Sequence, residues 1–395
     1  MCIAYPISHF KTLIYRHLLA NIILIQLIIE AKCGVRFFQD WPDSSKPITF
    51  PEFYKMFISR SILVRNSSLS VLLLVLFSAD ISLGDSFISP SDWFSFLFGT
   101  DDSTVSEIIW QFRLPKAITC LLAGSALATG GLLMQTLFRN PLAGPDVLGL
   151  SSGASLLVAL ILMLGHAGSG ILQSITVNPW SLALAATLGS TLVFMLVIAI
   201  TRFVKDNTSI LIIGLMLSAA TASIVGVLQF ISKAEDLQLF MIWSLGNVGS
   251  TGWNEISVLL IVVVVGVIIA ISQLKSLNGR LLGEIYAQSL GINLSRSRFW
   301  LVASTSLLVG GVTAFCGPIT FVGLAVPHLV KLITPTSNHK ILLPLVMIGG
   351  ACLLLFCDLL THSIGSIILP LNAVTSMIGA PLVIWMIIKN KKVGL

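Results

Sequence analysis

Ten apolar runs follow one another down this chain, at residues 67–83, 117–137, 147–165, 180–201, 208–231, 256–274, 299–315, 319–332, 341–360 and 373–388. A helix needs about 20 apolar residues to cross about 30 Å of hydrocarbon, and most of these runs approach that length. Inside lipid each backbone N–H and C=O must be satisfied within the protein, which favours helices for such runs. A soluble globule is excluded by the balance of residues. The chain is 55% hydrophobic and 10% charged, too little polar surface to clothe a water-facing domain of its 395 residues. The expected fold is an all-α polytopic membrane protein with about ten transmembrane helices.

Charge orients the bundle. With the segment before the first run on the cytoplasmic side, fifteen basic residues fall inside: Lys55, Arg60, Arg65, Arg139, Arg202, Lys205, Lys275, Arg280, Arg296, Arg298, Lys331, Lys340, Lys389, Lys391 and Lys392. Three fall outside, Arg113, Lys116 and Lys233. That asymmetry follows the positive-inside rule and predicts an even number of spans, with both ends of the core in the cytoplasm. Residues 1–55 fit poorly. The apolar stretch 18–29 is too short to span, and Met56 stands just ahead of Arg60, Arg65 and the first run. The expectation is an over-extended reading frame at 1–55, or else a real extra segment, followed by a transmembrane domain at 56–395.

Three soluble chemistries are absent or misplaced. No Gly-Lys dipeptide occurs, so there is no phosphate-binding Walker loop, and there is no His-Glu-x-x-His. Gly149-Leu150-Ser151-Ser152-Gly153 matches a hydrolase nucleophile elbow, but it opens an apolar helix rather than linking a strand to a helix. Its small residues suit close helix packing instead. The six cysteines are scattered without metal spacing and read as small core residues. Asp80, Asp358 and His328 lie near the ends of their runs, where a structural role outweighs the proton coupling of a secondary transporter.

Two segments interrupt the apolar pattern. "LFRNPLAGPDVLGLSSG" at 137–153 places polar groups, prolines and glycines between two spans. "SLNGRLLGEIYAQSLGINLSRSRF" at 276–299 is amphipathic, with Gly283 and Gly291 breaking it into short helices suited to lie on the membrane surface.

Four ordered motifs resemble the FecCD-type ABC importer permeases, which move iron–siderophore complexes, haem or vitamin B12. They are "RLPKAITCLLAGSALATGGLLMQTLFRNPLAGPDVLGLSSGAS", "LGEIYAQSLGIN", "GPITFVGLAVPHLVKLI" and "NAVTSMIGAPLVIWMIIK". The resemblance implies a type II importer permease in the bacterial inner membrane, and not itself an enzyme. Its implied partners are a second permease subunit, identical or paralogous, two cytoplasmic ABC ATPase subunits and a periplasmic or lipid-anchored binding protein. It implies no resident cofactor or metal, and an iron–siderophore cargo with haem or vitamin B12 as the alternative. By the same resemblance Asn140, Leu142, Asn207 and Thr208 are cytoplasmic gate residues. Gly283, Glu284, Ala287, Leu290 and Gly291 belong to the ATPase-coupling loop, and Arg113, Lys116 and His362 to the binding-protein dock. The last set departs from the family pattern, since Lys116 and His362 stand where arginines are usual.

Overall fold

The computed structural model describes residues 67–84, 88–89, 92, 104–146, 148–165, 179–201, 207–362 and 369–391. Residues 1–55, and with them the expected over-extension, lie outside these. All regular structure among the described residues is helical. In chain order the helices are α1 (Ser67–Ser82), α2 (Thr104–Phe138), α3 (Leu150–Gly165), α4 (Pro179–Thr201), α5 (Asn207–Ile231) and α6 (Ala234–Ser244). There follow α7 (Trp253–Ser272), α8 (Leu274–Leu281), α9 (Glu284–Ser289), α10 (Leu294–Cys316), α11 (Val322–Ile333), α12 (His339–Thr361) and α13 (Leu371–Lys391).

Each of the ten apolar runs coincides with one helix. Within α2, α5, α7, α10 and α12 the apolar stretch is long enough to cross a membrane by length and composition. The short α6, α8 and α9 join longer helices.

The helix α2 is the central post. It packs against α7, α10, α11 and α12, while α3 packs against α4 and α5. Small residues allow this closeness, because lipid tails supply no hydrophobic force between helices and backbone proximity must. A Cβ added at Gly131 would stand 1.7 Å from the Gly323 carbonyl oxygen, and one at Gly124 would stand 2.3 Å from that of Gly350. Buried hydroxyls tie the same helices together. Ser125 donates to the Met347 carbonyl at 3.1 Å and Ser304 to the Gly266 carbonyl at 2.7 Å.

Two irregularities shape the post and its neighbour. Residues Ile109–Arg113 of α2 form a π turn, after which Pro115 sits in the first α-helical turn, where its missing N–H does no harm. Near that turn Trp110 and Trp253 lie with ring centroids 4.7 Å apart, and the Trp253 indole donates to the Trp110 carbonyl at 3.0 Å. The second irregularity is α11, which begins in mid-bundle opposite Gly131. Its N-cap, Phe321, is left-handed at φ 67°, and the Leu324 carbonyl accepts from the Gln135 amide at 3.0 Å.

Candidate translocation gate and coupling face

At the basic-rich end, α8 and α9 project an apolar surface. Leu281, Leu282, Tyr286 and Leu290 are exposed, and Ile285 is 86% exposed. The turn between the two helices needs a left-handed backbone, which Gly283 supplies at φ 120°. Ala287 faces inward and is fully buried beside Gly279, so within the coupling segment it sets packing rather than presenting surface. Beneath that surface Arg280 is almost fully buried. Its guanidinium lies 3.6 Å from Glu284 and donates to the Leu294 carbonyl at 2.9 Å. Burial, with Arg298 and Arg139 nearby, lowers its pKa against the pull of Glu284. Asn278 of α8 reaches the start of α12, accepting from the His339 backbone N–H at 2.9 Å and lying 2.8 Å from its ring Nδ1. The other ring nitrogen of His339 lies 2.9 Å from the Thr136 hydroxyl, so α2, α8 and α12 meet there.

The interrupting segment leaves the end of α2 through Arg139, left-handed at φ 49°. Asn140 donates its backbone N–H to the Gln135 carbonyl at 3.1 Å, and its side-chain oxygen accepts from the Leu142 N–H at 2.9 Å. Leu142 packs on Leu324, Ala325, Val383 and Met386, from α11 and α13. Polar backbone at this depth is therefore walled by protein, the condition under which irregular structure survives in a membrane. The segment ends at Asp146, whose carboxylate accepts from the Ser151 hydroxyl at 2.5 Å and from the Phe321 backbone N–H. Burial drives the Asp146 pKa from its ordinary 3.8 up to about 6, against those two hydrogen bonds. Ser151 is thus a partner of Asp146 at the foot of α3. That contact answers the nucleophile-elbow match with a structural role.

The other pair expected at the gate, Asn207 and Thr208, opens α5, and its side chains lie outside the described residues.

At the basic-poor end the structure departs from an exposed positive patch. Lys116 is buried, 2.7 Å from Asp358 of α12 and 3.6 Å from Asp80 of α1. His362 Nε2 lies 3.2 Å from the same ammonium. Arg113 turns inward as well, donating to the Leu83 carbonyl at 2.7 Å. The physical reason is charge balance, since two buried carboxylates require a cation and α2 brings one to the same level. Ligand atoms of Asp80, Cys120 and Asp358 lie within 4.8 Å of one another, as a metal site would require. Lys116 already stands against both carboxylates, so this donor set does not call for a metal. Sequence reasoning missed this cluster and the Asp146 and Arg280 anchors. The available signal was three charges, Asp80, Lys116 and Asp358, at the same ends of three apolar runs.

The sequence profile of the FecCD transport family matches residues 72–389. This chain belongs to the FecCD transport family. It is 34% identical over 328 residues to the vitamin B12 import system permease protein BtuC of Citrobacter koseri, covering 82% of this chain and 94% of that one. The BtuC protein of Klebsiella pneumoniae is 33% identical over the same shares. Among solved structures, an inward-facing conformation assigned to the metal-chelate type of ABC transporter superposes with a TM-score of 0.69. That match has 27% identity and covers 82% of this chain and 98% of the other. PsaBC from Streptococcus pneumoniae, at 15% identity and TM-score 0.51, shares the fold. The chain is accordingly a multi-pass membrane transport component, an ABC importer permease.

Proposed function

We propose that this chain translocates a large metal chelate as one of two permease subunits, driven by two cytoplasmic ATPases and fed by a binding protein at the opposite face. The observation that carries this is the apolar α8–α9 surface. Exposed leucines and an isoleucine at a charged end are costly in water and fit a partner's groove, and the buried Arg280 beneath holds them rigidly. On this reading the basic-rich end faces the cytoplasm, and residues 140–142 close the pathway there with the start of α5. Arg113, Lys116 and His362 then set the outer helix ends on which the binding protein sits, rather than offering it free charge.

The curated relatives are vitamin B12 permeases, so a cobalamin is the first cargo to test. The solved relative of metal-chelate type keeps the iron–siderophore reading beside it. Co-purification with the ATPase, followed by uptake of cyanocobalamin, ferric siderophores and haem into proteoliposomes, tests both parts. Ile285→Asp is expected to abolish ATPase association while leaving membrane insertion intact. Undiminished association would remove α8–α9 as the coupling face.

A further inference from the structure

The loop leaving α2 is held at two points that belong to different parts of the molecule. Its far hold is Asp146, fixed to Ser151 of α3 and to the Phe321 N–H ahead of α11, both core elements. Its near hold is Arg139, whose guanidinium donates to the Arg280 carbonyl of α8 at 2.6 Å. That side chain is not needed to finish α2, because the Arg139 backbone N–H already bonds the Gln135 and Thr136 carbonyls. Nor is Arg280 an isolated partner, since its own guanidinium ties α8 to Glu284 of α9 and to the first residue of α10. Any displacement of the α8–α9 unit therefore pulls on Arg139 before it reaches the loop, while Asp146 stays with the core.

We propose that Arg139 is a positioning residue that transmits movement of α8 and α9 to residues 140–145, shifting Asn140 and Leu142 against α11 and α13. The proposal rests on reading α8–α9 as the ATPase contact and 140–142 as the gate. The physical requirement for such transmission is a contact that both elements share, and the Arg139–Arg280 hydrogen bond is one.

The test uses the full permease with its ATPase in proteoliposomes, with Cys2 and Cys33 replaced by serine. The cysteines at 120, 316, 352 and 357 are buried and do not compete. Leu142→Cys then reports the gate through its rate of reaction with a membrane-impermeant maleimide, compared with and without a trapped ATP analogue. The nucleotide-dependent difference is expected to shrink at least fivefold in Arg139→Ala while ATP hydrolysis stays within twofold. Arg139→Lys, which can still donate to the carbonyl, should restore it. If Arg139→Ala does not fold, Arg139→Met keeps the aliphatic stem without the donor. Persistence of the full difference in either variant overturns the proposal. A separate failure is visible in the parent protein. Labelling there that ignores nucleotide, together with intact ATPase association in Ile285→Asp, sinks the underlying reading and the proposal with it.

Discussion

The α-helical part of α2, Leu114–Phe138, and the whole of α5 are both 25 residues long. Their most apolar stretches have nearly the same mean hydropathy, 1.8 and 1.9, yet 89% of the first is buried and 22% of the second. Hydropathy places a helix in an apolar medium without choosing between protein and lipid. Backbone approach makes the choice. On α2, Gly124 and Gly131 meet Gly350 and Gly323 across the contact, whereas a Cβ at Gly226 of α5 would meet nothing within 4 Å. Ala219, Ala222, Ser223 and Gly226 of α5 still share one exposed strip with spacings of three and four. That strip suits the second subunit proposed above.

Substitution by leucine should sharpen the contrast most. Gly131→Leu is expected to leave no folded, detergent-stable protein by size exclusion, since the side chain would enter the backbone of α11. Gly226→Leu should give a normally folded chain that pairs poorly. Equal yields of both would break the comparison. Next in size is Lys116→Met in the first α-helical turn of α2, which strands Asp80 and Asp358 without a cation. Breaking a buried pair typically costs about 3–5 kcal/mol, a fall in Tm of about 4–6 °C for a chain of this length. Adding Asp80→Asn and Asp358→Asn should recover more than half of it, and a Tm insensitive to Lys116 would show that the cluster holds nothing together.

The segment that follows the C-terminal end of α2 should respond more gently. Asn140→Ala with Leu142→Ala should let proteoliposomes leak cargo without ATP, several-fold faster than wild type, with Tm little changed. Leakage equal to wild type would reduce the segment to packing. The smallest effect is the titration of Asp146. Its pKa is raised to about 6, so the folded protein binds a proton that the unfolded chain releases near 4. Its contribution to stability is therefore present at low pH and lost as pH rises through 6. The gain in Tm between pH 7.5 and pH 5 should be about 1–2 °C larger in wild type than in Asp146→Asn. An identical pH dependence in both proteins would remove Asp146 from the account.

Ten helices and both interrupting segments could be read from the sequence because their signals are local. Apolar length announces α7 or α12 without reference to any other residue. What could not be read depends on which helix ends meet. Lys116 looked like an exposed cation because nothing near it in sequence is acidic, and its partners lie 36 residues before it and 242 after. Ala287 joined the coupling loop by resemblance alone, and only the fold of α8 over α9 shows it buried where Ile285 is exposed. The second span was expected from 117, because a π turn leaves no hydropathy signature and the helix begins at Thr104.

That π turn makes α2 sensitive to a different kind of mutation from those above. A turn at Ile109–Arg113 accommodates one residue more than an α-helical turn. Removing one residue there would leave ordinary α-helix with everything before it in nearly the same phase, whereas forcing all five residues into α-helical turns would rotate that part by about 90–100° about the axis. In that second case Trp110 would swing away from Trp253 and leave unpaired the indole that now donates to its carbonyl. A single deletion within 109–113 should then be tolerated better than one inside Leu114–Phe138, because the π turn absorbs an extra residue and keeps the angular phase between the first turns of α2 and the post that follows.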